Sequence, residues 1–306
     1  MKIEQISIVG MGALGVMYGD FLTARLGKER VGFVADESRR ERFGKDGVYC
    51  NGRRCDFSVA DESEAGRPAD LLLFAVKATA LEDAIRTAQN KVGEHTVILS
   101  LLNGITSEQI IGGAYGQEKI IHCVVQGMDV IKQGNRVTYA HFGRFCLGID
   151  EQSAVKRQRL QAVLDLFDAV DMPYTLEVDI LHRMWCKLMV NVGVNQAVMI
   201  HEGTYGTVQR PGAARTLMQS AMKEVIAVAQ KENVRITQDD FDAYVALIDS
   251  LDADGMPSMR QDGLARRKSE VELFAGTILA LAEKHGVDAP VNREIYDAIT
   301  RMERAY

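Results

Sequence analysis

The sequence predicts a doubly wound α/β domain over residues 1–177 followed by an all-α domain over residues 178–306. Three observations predict it. Short apolar strands alternate with helical periods through the first half, as in a mainly parallel sheet covered on both faces. A glycine-rich turn, Gly10-Met11-Gly12-Ala13-Leu14-Gly15, joins the first strand to the first helix. After Val178, helical spacing continues almost without interruption. At 306 residues the chain is long enough for two cores.

Residues 3–9 alternate apolar and polar side chains and read as the first strand. Residues 16–26 have helical spacing, with Gly27 as the C-cap. Residues 30–35 form a second strand, and residues 48–50 and 57–60, around Asn51-Gly52, read as a hairpin. Residues 71–76 are a continuous apolar run, as expected of a strand covered on both faces. Residues 96–101 and 120–125 read as further buried strands, and residues 80–92 read as a helix. Residues 137–141 and 145–149, split by Gly143, read as an antiparallel pair closing the sheet. A helix over 153–170 and a short strand over 173–176 complete this domain. Beyond it, helices are expected over 179–200, 212–233, 239–251, 259–285 and 292–305. Thr237-x-x-Asp240 is a start signal and Gly286 with Pro290 a stop signal.

Composition narrows the function. A formal net charge of −6 gives no electrostatic footprint for nucleic acid or an anionic membrane. Five cysteines, scattered and without C-x-x-C spacing, favour reduced thiols over a disulfide framework or a zinc site. The histidines show no metal-like spacing, and neither G-x-S-x-G nor a Cys/His constellation supports nucleophilic catalysis. The strand-like run near the N-terminus leaves no room for a signal peptide, and no apolar run approaches bilayer length. The expectation is a cytoplasmic protein, monomer or homodimer, that acts on a small molecule and binds no metal, nucleic acid or membrane.

The glycine turn has the spacing G-x-G-x-x-G in a strand–turn–helix context, which predicts dinucleotide binding. Gly10 allows the tight turn, Gly12 lets backbone approach a pyrophosphate, and Gly15 lets helix and strand pack closely. The pyrophosphate would sit on the helix N-terminus at Ala13 and Leu14, where unpaired N–H groups and the dipole favour an anion. Asp36, after the second strand, is placed to accept from ribose hydroxyls and favours NAD. Arg39 and Arg40 just behind it could instead hold a 2′-phosphate, favouring NADP. All three also fit the solvated start of a helix.

A second stretch stands out, residues 184–195, reading M-W-C-K-L-M-V-N-V-G-V-N. Lys187, Asn191 and Asn195 recur at intervals of four on an otherwise apolar helix, each drifting about 40° from the last. Buried polar groups need partners, so this face either satisfies itself across a helix interface or lines a polar pocket. Lys187 taken alone fits a snorkelling side chain equally well. Gly193 between the asparagines suggests close approach by ligand or backbone.

With these residues in hand, the chain resembles the 2-dehydropantoate 2-reductase (ketopantoate reductase) family nearly end to end. The likeness runs through the G-M-G-A-L-G turn, Val76-Lys77-Ala78, Asn103-Gly104, His141-x-Gly143 and Gly148. It continues through the Lys187/Asn191/Asn195 helix and Ser258-Met259 followed by Glu270. The resemblance implies a Rossmann domain, a helical domain of the 6-phosphogluconate-dehydrogenase C-terminal type, and an active site in the cleft between them. It implies reduction of 2-dehydropantoate to (R)-pantoate by NADPH, a step toward pantothenate and coenzyme A. By the same resemblance Lys187 is the general acid, and Glu270 holds it and contacts substrate. Asn191, Asn195 and Ser258 bind the substrate's hydroxyl and carboxylate, while Lys77 and Asn103 sit near the nicotinamide, Asn103 also near substrate.

Two departures stand out. Family members commonly read N-P-L-T-A where this chain has Asn195-Gln196-Ala197-Val198-Met199, which bears on the pocket wall and the substrate. They commonly carry an arginine where this chain has Asp36, which bears on NADPH against NADH. A different branched 2-oxo acid as substrate, or a non-catalytic NADPH sensor, are the alternatives. Ser258 with Gln261 also has the form of a helix capping box, Glu270 could pair at the surface with Arg266, and Lys77 and Asn103 could be ordinary strand-end and turn residues.

Overall fold

The structure, a computed structural model, describes residues 1–61 and 67–306, without the side chains of residues 38, 39, 42 and 61. The chain divides into two compact units, Met1–Ile180 and Leu181–Tyr306.

The first unit is built on a five-stranded, all-parallel sheet in the order Ser58–Asp61, Val31–Ala35, Ile6–Val9, Leu71–Phe74, Val97–Ser100. In chain order of these strands this is 3-2-1-4-5, the dinucleotide-binding arrangement that reverses direction between Ile6–Val9 and Leu71–Phe74. The apolar runs are buried on both faces by simple alternation. Leu71 and Leu73 join a core with Val16, Tyr18 and Leu22, while Leu72 and Phe74 join a second core with Leu81, Ala84 and Ile111. Ala13–Leu26, Glu37–Asp46, Leu81–Ala88, Ser107–Tyr115 and Ala154–Ala169 are the helices, the last capped by the Ser153 hydroxyl accepting from Lys156 N.

Two strand pairings differ from those the sequence suggested. Tyr49–Cys50 turns through Asn51-Gly52 onto Arg53–Arg54, and Ser58–Asp61 leaves the hairpin to become the edge of the parallel sheet. Likewise Arg136–Thr138 pairs with Ile131–Gln133 around Gly134-Asn135, not with the following strand. Phe142–Gly148 instead pairs antiparallel with His122–Met128 and parallel with Tyr174–Leu176, in a separate three-stranded sheet. A strand's own alternation states which face is buried and leaves the partner to the turns and the core.

The second unit is helical: Ile180–Val190 leads into it, followed by Gln196–Ile200, Tyr205–Gln209, Ala213–Lys231, Gln238–Asp249, Ser258–Leu264, Thr277–His285 and Pro290–Glu303. Thr237 and Asp240 form the expected capping box, and Gly286 ends its helix in the left-handed conformation. Ala213–Lys231 is the hub, with Met218, Met222 and Val225 buried. Two of the long expected helices are not uniform. Asn191–Asn195 and Glu272–Gly276 are π-helical, and residues 265–271 interrupt the run expected over 259–285. A π turn inserts a residue without breaking the apolar stripe, so periodicity alone reads it as α.

Candidate active site

In the first unit the expected cofactor residues gather along the carboxyl edge of the parallel sheet. Gly10 follows Val9 directly with φ +102°, and a Cβ there would lie 2.5 Å from the Ala75 carbonyl oxygen. At Gly15 a Cβ would meet the Gly10 carbonyl oxygen at 2.0 Å, so helix and strand can approach only through a glycine. Gly12 is the N-cap of the 14-residue helix, and Gly12, Ala13 and Leu14 are half-exposed, leaving the first-turn N–H groups within reach of an anion. Lys132 donates to the Met11 carbonyl oxygen and braces the turn from a neighbouring strand.

Val9, Phe74 and Ser100 are in register across three adjacent strands. Lys77 and Asn103 therefore each lie three residues beyond matched strand ends, on the Leu71–Phe74 side of the point where strand order reverses. There an open α/β sheet binds its ligand. Lys77 is exposed and Asn103 half-buried. Behind Asn103, the hydroxyls of Ser100 and Ser107 lie 2.7 Å apart, and Ser107 donates to the buried Glu108 carboxylate at 2.9 Å. Asp36 follows the second strand directly and is half-buried. Beside it a cavity of about 820 Å³ is lined by Met11, Glu37, Arg40 and Arg54 among others. The side chain of Arg39 lies outside the described residues.

In the second unit Lys187 sits in the last turn of Ile180–Val190, half-buried, and Asn191 and Asn195 open and close the π segment. This changes the geometry read from spacing. Four residues overshoot an α turn but fall short of a π turn, so the drift from Lys187 to Asn191 is reversed from Asn191 to Asn195. The three side chains therefore stay on one flank of the helix, within about 40° of one another. Asn195, 8% exposed, donates to Asn191 Oδ1 at 3.4 Å. Gly193 serves packing: a Cβ there would meet Met222 Cγ at 2.5 Å on the hub helix.

Ser258–Leu264 and Glu272–Gly276 both pack on the Asn191–Asn195 segment, so the unit brings together the stretches carrying the expected substrate residues. Ser258 is exposed at the first position of its helix, whose N-cap is Pro257. The capping box with Gln261 therefore does not form, and Gln261 donates to the Met256 carbonyl oxygen. Half-buried Glu270 leads into the second π segment, its carbonyl accepting from Leu273 and Phe274 N–H at 3.0 and 3.1 Å. Nearby, Arg267 pairs with Asp262 at 2.9 Å. Gln196, Ala197, Val198 and Met199 are all 0% exposed, so this segment is core and not the pocket wall its sequence departure suggested.

The fold also places His182, Cys186 and Asp240 with ligand atoms within 4.8 Å of one another, which histidine spacing did not signal. Asp240 Oδ2 already accepts from Thr237 N at 2.8 Å and Thr237 Oγ1 at 2.6 Å, with His182 Nε2 at 3.2 Å. Burial alone would raise the Asp240 carboxyl, but these hydrogen bonds from Thr237 and His182 outweigh it and hold it below the usual range. The group reads as a polar tie between two helices.

With this geometry in place, comparison with known proteins becomes specific. The ketopantoate reductase PanE/ApbA family profile matches residues 6–151, and its C-terminal counterpart matches residues 179–303. The chain belongs to the ketopantoate reductase family. A 2-dehydropantoate 2-reductase of Aquifex aeolicus is 26% identical over 308 aligned positions, covering 99% of this chain and 97% of that protein. The solved PanE/ApbA family ketopantoate reductase of Ralstonia eutropha superposes with a TM-score of 0.83 at 22% identity, over 98% of this chain and 99% of that one. A D-mandelate dehydrogenase solved with NADH and anilino(oxo)acetate superposes with a TM-score of 0.85 at 22% identity and the same coverage. At that identity the structures speak for the fold. Family membership makes the chain an oxidoreductase acting on a CH–OH group, with a nicotinamide dinucleotide as cofactor class. No described helix is long and apolar enough to cross a membrane.

Proposed function

We propose that the chain reduces 2-dehydropantoate to (R)-pantoate with NADPH, in the route to pantothenate and coenzyme A. One observation carries this reading. The helical unit carries Lys187, Asn191 and Asn195 on one flank of a helix and packs the Ser258 and Glu270 stretches around that segment. A core helix interface has no need of a lysine, two amides, a serine and a glutamate together. The relatives named 2-dehydropantoate 2-reductase, which the chain matches along nearly its whole length, support the substrate.

When bound, the nicotinamide supplies a hydride to the ketone carbon. As charge builds on the ketone oxygen, Lys187 donates a proton to it, giving the alcohol and consuming one proton from solvent overall. Glu270 opposes the cost of holding an ammonium in a partly buried site and keeps Lys187 oriented. Asn191, Asn195 and Ser258 bind the substrate's hydroxyl and carboxylate. Gly10, Gly12, Ala13, Leu14 and Gly15 cradle the pyrophosphate, Lys77 and Asn103 adjoin the nicotinamide, and Arg40, facing the cavity beyond Met11, holds the 2′-phosphate in preference to the ribose contact offered by Asp36.

The test is NADPH oxidation by purified protein given 2-dehydropantoate, run beside an aryl 2-oxo acid and with NADH. Turnover with 2-dehydropantoate and NADPH is expected to dominate. No turnover above background would sink the substrate assignment. Preference for the aryl acid would move the chain toward the mandelate-dehydrogenase chemistry of its structural neighbour, the one second reading an observation favours.

A further inference from the structure

The two π segments of the helical unit share one side chain. Gln196, 0% exposed, follows Asn195 immediately. Its Nε2 donates to the Val192 carbonyl oxygen inside the first π segment at 2.8 Å. Its Oε1 accepts from the Ala275 N–H inside the second at 3.3 Å. Both bonds fall where the π geometry disturbs the backbone pattern. In the second segment the Val271 carbonyl, the α-helical acceptor for Ala275, is taken by Gly276 N–H at 3.0 Å. The Ala275 N–H turns to Gln196 instead. A buried amide N–H without an acceptor is costly, so the side chain and the two π turns sustain one another.

We propose that Gln196 is a positioning residue for the reaction: it fixes the register of the π segment carrying Asn191 and Asn195 against the one that follows Glu270. It touches neither substrate nor cofactor. A π turn can relax to α by shifting its register by one residue, which swings every side chain on one flank by about 100° about the helix axis. With both π turns pinned through the same amide, neither can relax alone. Lys187, Asn191 and Asn195 then keep their common flank, and Glu270 keeps its place relative to it. The catalytic part of this inference rests on the function proposed above; the structural part does not.

Two variants and two readouts test it on the full chain with NADPH bound. Gln196→Met keeps the volume and removes both hydrogen bonds. Amide hydrogen exchange over residues 271–277 is expected to quicken at least about tenfold. The kcat for 2-dehydropantoate should fall at least about tenfold while the KM for NADPH stays within about twofold. Gln196→Glu keeps the acceptor, and only its protonated form can also donate to Val192. Burial raises a carboxyl pKa, so its kcat relative to the parent should recover as pH is lowered. That rescue decides the matter if Gln196→Met fails to fold. Unchanged exchange in Gln196→Met would overturn the structural link. Faster exchange with an unaltered kcat, or a Glu variant whose relative kcat ignores pH, would overturn the positioning role. A parent protein inactive on every 2-oxo acid would sink the proposed function, and the exchange experiment would still judge the link.

Discussion

In the dinucleotide unit the groups expected to meet a ligand are mostly backbone, whereas in the helical unit they are side chains. On the proposed reading the glycine turn works through N–H groups and through the absence of Cβ atoms at Gly10 and Gly15. On that same reading the helical unit works through an amine and two amides on a helix of mixed type and a carboxylate just ahead of the second π segment. Backbone sites depend on where the chain can go, which spacing and glycine placement state directly. Side-chain sites depend on the angle at which each residue leaves its helix, and one inserted residue changes that angle.

The sharpest way to break the comparison is Gly15→Val. The helix must move off the strand, because even a Cβ meets the Gly10 carbonyl oxygen at 2.0 Å. Loss of measurable NADPH binding by fluorescence titration is expected, with stability lower by about 1–3 kcal/mol in denaturant. Retained binding would show that the backbone cradle is not what holds the cofactor. A smaller effect is expected of Arg40→Ala, one of the few side-chain contacts proposed for that unit. Removing one charge-assisted hydrogen bond should lower kcat/KM for NADPH by about tenfold and leave NADH use unchanged. Equal losses with both cofactors would mean that Arg40 does not read the 2′-phosphate.

The smallest effect concerns a side-chain tie in the same unit, away from the sheet edge. Asp129 accepts from the backbone N–H of His141 and Ala140 and from the His141 ring. The His141 backbone bond leads in holding its carboxyl at about 2, below the ordinary 3.8. Its stabilisation is thus complete above that ordinary value and is lost as pH falls toward about 2. Asp129→Asn should show a small Tm deficit at neutral pH that disappears on acidification. A deficit that persists at low pH would mean the loss is steric.

Much of the first unit was legible in advance. The continuous apolar run at residues 71–76 marks a strand buried on both faces, and the glycine motif falls where the fold needs it. Strand partners were less legible, as the separation of Arg136–Thr138 from Phe142–Gly148 shows, because alternation does not encode a neighbour. In the second unit the residue types at 187, 191 and 195 were readable, but their alignment was not. The π turns leave no mark in the hydrophobic period. Gln196 was visible as a polar residue in an apolar run, the same signal that drew attention to Lys187, yet only the packing of two π segments gives it a task.

The most direct test is a single-turnover measurement on Lys187→Ala saturated with NADPH, with 2-dehydropantoate as substrate and the NADPH Kd determined on the same sample. The expected result is a hydride-transfer rate lower by about 10²–10⁴-fold with the Kd unchanged, because the lysine acts on the developing oxyanion and the backbone cradle holds the cofactor. A rate within about threefold of the parent would contradict the assignment of general acid catalysis to the helical unit.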